Sequence, residues 1–108
     1  MPSPADTQRL AARVAGLTFP DALRELCGEF AHPVFTSSFS LEDQVILHVI
    51  ASARLPVRVV TLDTGRLFEE TYQLQALSSR RYGLAIETYF PQAEAVQALV
   101  DGQGPNGF

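Results

Sequence analysis

Hydroxyl and carboxylate side chains gather in two short segments, each following an apolar run and preceding a helix-like pattern. The first is Ser37-Ser38-Phe39-Ser40-Leu41-Glu42-Asp43, after Pro33-Val34-Phe35-Thr36. The second is Leu62-Asp63-Thr64-Gly65-Arg66-Leu67, after Val57-Arg58-Val59-Val60-Thr61. The hydroxyls of Ser37, Ser38 and Ser40, with backbone N–H groups turning into a helix near Ser40 to Asp43, suit phosphate or sulfate oxygens. Serines in such loops also cap helices, so this segment alone leaves both roles open. In the second segment Thr64 can donate to a phosphate oxygen and Gly65 permits positive φ or a close approach. Arg66 can clamp an anion or pair with a neighbouring Glu. Asp63 can accept from a sugar hydroxyl or an exocyclic amine, or cap the helix that follows.

Positioning two such loops together requires strands and helices in alternation. Ala5 to Leu17 and Pro20 to Phe30 read as helices from their apolar spacing. Val34 to Ser37 is a short strand, followed by a helix over Leu41 to Ala53 with Ser40 and Asp43 as a capping pair. Val57 to Leu62, nearly all apolar or β-branched, reads as a strand buried on both faces. Arg66 to Tyr82 suits a helix whose Glu69, Glu70, Arg80 and Arg81 complement its dipole, with Gly83 at its end. Ala85 to Phe90 is a third strand and Gln92 to Val100 a further helix; Asp101 to Phe108 reads as a loop. Successive βαβ units wind right-handed onto a parallel sheet, which predicts an α/β fold with helices on both faces and the two loops at one sheet edge. The expected spatial order is third, second, first, leaving Val34–Ser37 as an exposed edge that invites self-association, so a homo-oligomer is among the expected forms.

A chain of 108 residues supports one small domain, and 46% apolar with 19% charged residues is ordinary globular composition. A net charge of −4, with every basic residue an Arg, argues against nonspecific nucleic-acid binding. No apolar run approaches the roughly 20 residues that span a bilayer, and the N-terminus lacks the pattern of a secretory signal, so the expectation is a cytoplasmic protein without a membrane partner. The one cysteine, Cys27, lies on the apolar stripe of the second helix and reads as a buried structural thiol. His48 has no second ligand at a suitable spacing, so no metal site is expected.

The ordered set of motifs resembles the sulfonucleotide reductases, which reduce adenylyl sulfate or phosphoadenylyl sulfate to sulfite. Ser37 to Asp43 is similar to the modified PP-loop of that family, and Leu62 to Leu67 to its LDTG-type motif. Glu70-Thr71-Tyr72 and Tyr82-Gly83-Leu84 match further family segments. The resemblance covers about Val34 to the C-terminus, dividing the chain into N-terminal helices (1–32) and the N-terminal part of the reductase domain (33–108). It implies a Rossmann-like, adenine nucleotide α-hydrolase-like fold, truncated here after about three strands. It further implies that Leu62 meets adenine through its backbone and that the loop serines contact the phosphosulfate. Ser37, Ser38, Phe39, Ser40, Glu42, Asp43, Leu62, Asp63, Thr64, Gly65 and Arg66 are then the substrate-binding candidates, with no catalytic or metal-binding residue in the chain.

In the family a later cysteine attacks the sulfate sulfur, and thioredoxin or glutaredoxin releases sulfite from the thiosulfonate. The chain ends at Phe108, before that nucleophile and before the paired cysteines that hold a [4Fe-4S] cluster in the adenylyl-sulfate branch. The expectation is a nucleotide-binding portion that itself binds no cofactor. Leu-Asp-Thr-Gly-Arg-Leu resembles that branch more than the cluster-free one, in which Tyr tends to follow the Gly. Ser40 stands where the family often has Gly. Two alternatives are a PP-loop ATP pyrophosphatase, against which Phe39 speaks because glycine is needed there, and a noncatalytic adenine-nucleotide-binding module.

Overall fold

Ser3 and Thr18 cap the first two helices through their side chains, which fixes where each begins. In this computed structural model, which describes residues 2–107, these are α1 (Pro4–Val14) and α2 (Phe19–Glu29). Then follow β1 (Val34–Thr36), α3 (Leu41–Ser52), β2 (Arg58–Leu62), α4 (Glu69–Tyr82), β3 (Ile86–Tyr89) and α5 (Ala93–Gln103). The three strands form one parallel sheet in the order β1-β2-β3, as the sequence predicts, with β1 at an edge. Among the described residues no helix is long and apolar enough to cross a membrane.

The register sets the layers. Phe35 lies beside Val59 and Val59 beside Ile86, so these side chains share one face of the sheet. Leu47 and Ile50 of α3 and Leu74 of α4 pack against that face, and Leu47, Ile50 and Val59 are at most 2% exposed. Burial of each such side chain is worth about 1.5–3 kcal/mol, which makes this seam the main source of stability. The helices of both crossovers, α3 and α4, touch each other over this one face. The other face is open at Val34, Leu62 and Tyr89, and there Arg58 binds Glu87 and the Tyr89 hydroxyl. A helical layer over that second face, expected from the sequence, is therefore not built by α3 or α4.

Three boundaries differ from the sequence reading by three residues, the first being the end of α1, which stops at Val14 and not at Leu17. The helix expected from Arg66 begins only at Glu69, because Gly65 takes φ +89° and residues 66–68 continue as loop. At the C-terminus Asp101–Gln103 is helical, with Gln97 donating to the Asp101 carboxylate one turn on, and α5 stops before Gly104 at φ +84°. Neither α1 nor α5 buries a residue. Helix α1 is held to α2, where Arg13 pairs with Glu25 and Glu29. These projecting helices raise the radius of gyration to 17.4 Å, against about 13 Å for a closed domain of this length.

Leu47→Ala is expected to cost about 3 kcal/mol, because it opens a cavity in the one dense seam. Chemical denaturation of both proteins checks this; a loss below about 1 kcal/mol would show that the seam is not the core.

Candidate functional site

The first loop is organised by a carboxylate. Asp43, in the first turn of α3, accepts the Ser38 N–H at 2.8 Å, the Ser38 hydroxyl at 2.9 Å and the Ser40 N–H at 3.4 Å, all on Oδ2. The Asp43 N–H returns to the Ser40 hydroxyl at 3.2 Å, which completes the expected capping box. Burial by itself would raise the Asp43 carboxyl, but the bonds from Ser38 and Ser40 outweigh it together and hold it below the ordinary aspartate range. The Ser37 hydroxyl is occupied as well, accepting the Phe39 N–H at 3.1 Å.

Of the backbone N–H groups near Ser40 to Asp43, those of Ser40 and Asp43 are bound within the capping box, and the Ser38 N–H is bound to the same carboxylate. Phe39 supplies a correction. Its backbone sits at φ +62°, the left-handed conformation that favours glycine, so a Phe here does not forbid the glycine-like turn. The cost is on the order of 1–2 kcal/mol, and it is offset because the ring is buried in the core cluster.

The second loop is tied down from the side. Asp63 is buried, and its Oδ1 accepts the Gly65 N–H at 2.7 Å and the Tyr72 hydroxyl at 3.0 Å. Its own N–H donates to the Tyr89 carbonyl, extending the ladder to β3. Asp63 thus shapes the turn and does not cap α4, which starts further on without a side-chain cap. Burial, and next the bond to Asp63, push the Tyr72 phenol up.

Between the carboxyl ends of β1 and β2 lies a cavity of about 410 Å³, lined by Thr36, Ser37, Ser38, Phe39, Asp43, Thr61, Leu62, Leu67 and Thr71. Its size suits a nucleoside. Of the sequence candidates, Ser37, Ser38, Phe39, Asp43 and Leu62 meet here. Ser40, Glu42, Thr64, Gly65 and Arg66 are exposed and outside it. Asp63 faces a neighbouring cavity with Tyr72, Gln75 and Thr88. Both loops sit at the same end of the sheet, at the carboxyl ends of the adjacent parallel strands β1 and β2, as expected from the sequence. Thr36, Thr61, Leu67 and Thr71 complete the lining; Leu67 and Thr71 stand in the two family-like segments, and strand alternation from Val59 points to Thr61.

The lining contains no Arg, His or Lys, and its one charged group is the Asp43 carboxylate. A phosphate or sulfate buried there would meet like charge with no cation to balance it. The lining suits an uncharged group better than a buried anion. No cluster of three or more His, Cys, Asp or Glu that could hold a metal occurs among the described residues. An iron–sulfur cluster takes four cysteine thiolates, and this chain's Cys27 is its one cysteine, so these residues do not fit one.

Asp43→Asn should destabilise the protein by about 1 kcal/mol at neutral pH, the typical cost of a lost helix cap. Because the folded Asp43 is shifted below its ordinary value of 3.8, the carboxylate's contribution is fully present above that pH and lost as pH falls through the folded value. Stability curves of the two proteins should therefore run apart above about pH 4 and converge below it; a constant gap down to the acid limit would contradict this. Tyr72→Phe should lower stability by about 1 kcal/mol and speed amide exchange at Gly65; unchanged exchange would mean the phenol does not hold the turn.

The phosphoadenosine phosphosulfate reductase domain model matches residues 32–107. The chain is 42% identical over 104 residues to adenosine 5'-phosphosulfate reductase of Agrobacterium fabrum, covering 96% of this chain and 40% of that protein. To the protein of the same name from Allochromatium vinosum it is 41% identical over 88 residues, 82% of this chain and 34% of the relative. The chain thus spans well under half the length of these curated relatives. The fold superimposes on phosphoadenylyl-sulfate reductase from Candida auris, a phosphate complex, with a TM-score of 0.82 at 24% identity, over 98% of this chain and 52% of that one. The parallel sheet, the paired loops at its carboxyl edge and the match over residues 32–107 place this chain in the phosphoadenosine phosphosulfate reductase domain family.

Proposed function

We propose that this chain is the nucleotide-binding portion of an assimilatory sulfonucleotide reductase, and that the cavity between β1 and β2 receives the nucleoside end of its substrate. The observation that carries this reading is a nucleoside-sized cavity at the carboxyl ends of two parallel strands, with apolar walls from Phe39, Leu62 and Leu67 and hydroxyls from Ser37, Ser38, Thr61 and Thr71. Adenylyl sulfate is the favoured substrate, since the curated relatives described above carry that name and Arg66 follows Gly65. Within the reading, a cysteine thiolate from a later segment attacks the sulfate sulfur. The bond from sulfur to the phosphate oxygen breaks, AMP leaves with its electron pair, and the thiol carries the sulfonate. A dithiol reductant of the thioredoxin class then displaces sulfite and ends as a disulfide. A PP-loop pyrophosphatase would need the loop N–H groups free for pyrophosphate, and Asp43 holds two of them.

Cys27 is not that nucleophile. It lines a small apolar cavity with Phe19, Leu23, Phe30, Val34 and Val57, and burial pushes its thiol up, so it stays protonated at neutral pH. The 108-residue chain should therefore bind AMP in calorimetry with a dissociation constant between about 1 μM and 1 mM and release no sulfite from adenylyl sulfate with added thiol. Absence of AMP binding at millimolar concentration would overturn the reading. Sulfite release abolished by Cys27→Ala would overturn the assignment of Cys27.

A further inference from the structure

We infer that Thr61 is a specificity-determining residue whose hydroxyl bonds the edge of the nucleobase at the floor of the cavity between β1 and β2, an inference that rests on the nucleotide reading above. Thr61 is the fourth residue of β2 and only 2% exposed. Strand alternation puts its side chain on the face of Val59, beneath α3 and α4. The same row holds Ser37, whose N–H bonds the Val60 carbonyl, and Thr88, the register partner of Thr61 on β3. Both neighbours use their hydroxyls within the protein: Ser37 accepts from Phe39, and Thr88 accepts from Gln75 at 2.9 Å.

Thr61 differs from both. Its hydroxyl makes no hydrogen bond to any described residue. It is not sealed in the core either, because Gln44 Nε2 is the one fully enclosed side-chain polar atom without a partner among the described residues. Thr61 lines the cavity, so its hydroxyl opens there. A polar group surrounded by protein and lacking a protein partner gains when a ligand atom supplies the missing bond, and it discriminates against ligands that cannot.

What that atom belongs to follows from the surroundings. Phe39, Leu62 and Leu67 offer apolar contact, and the only charge on the lining is negative. A phosphate is disfavoured at that depth, whereas a heteroaromatic ring is well suited. A hydroxyl both donates and accepts, so it can pair with a ring nitrogen or an exocyclic amine on the edge of an adenine.

Thr61→Val keeps the shape and β-branching and removes only the hydroxyl, and Thr61→Ser restores it. AMP, adenosine and ribose 5-phosphate are titrated into the wild-type chain and both variants, with thermal unfolding as the check on folding. The expected result is about tenfold weaker binding of AMP and of adenosine to Thr61→Val, near wild-type binding to Thr61→Ser, and no change for ribose 5-phosphate. Equal AMP affinity in wild type and Thr61→Val overturns the inference. So does a loss that leaves adenosine untouched, a parallel loss for ribose 5-phosphate, or a loss in Thr61→Ser as large as in Thr61→Val. Failure of the wild-type chain to bind AMP overturns the nucleotide reading itself, and this inference with it.

Discussion

The Asp43 carboxylate gathers the Ser38 N–H, the Ser38 hydroxyl and the Ser40 N–H onto a single oxygen, and the geometry of the site depends on that convergence. It folds the loop back onto the first turn of α3, fixing the helix start and the turn at Phe39 together. The turn in turn drives the Phe39 ring into the core, where burial outweighs the left-handed backbone. Removing the carboxylate would free the Ser38 and Ser40 N–H groups. With one negative group on the lining and none positive, the cavity suits a neutral group better than an anion.

The sheet builds the rest of the cavity by grading its own composition. Along the face under α3 and α4, the row of Phe35, Val59 and Ile86 is apolar and packs against Leu47, Ile50 and Leu74. One pleat further toward the carboxyl ends, the row of Ser37, Thr61 and Thr88 is polar. The change from apolar to polar within two residues of each strand is what turns the end of the core into the floor of a site. Asp63 then anchors the second loop through Gly65 and Tyr72, so the Leu62 end of β2 is held from both sides.

Much of this was legible in the residues. Strand order followed from right-handed crossovers and the cap of α3 from Ser40 and Asp43, while Cys27 was assigned to the core from its helical stripe. The reach of Asp43 to Ser38 was not legible, because a bond five residues back depends on a left-handed Phe that sequence preference argues against. The late start of α4 has a related cause: Asp63 spends its oxygen on Gly65 and Tyr72, which leaves Phe68 as an N-cap with no side-chain bond. Thr64 and Arg66 lie on the exposed stretch around the turn at Gly65. The apolar run Val57–Leu62 fits a strand buried on both sides at its centre, where Val59 and Val60 are both buried, while Leu62 at its end is exposed.

The claim that the first loop is filled by Asp43 and that the cavity takes a neutral ring is tested most directly by amide chemical shifts during two titrations. Adenosine should move the resonances of Thr61 and Leu62, while inorganic sulfate at the same concentration should leave Ser38 and Ser40 where they are. Sulfate shifts at Ser38 and Ser40, with Thr61 indifferent to adenosine, would contradict the account.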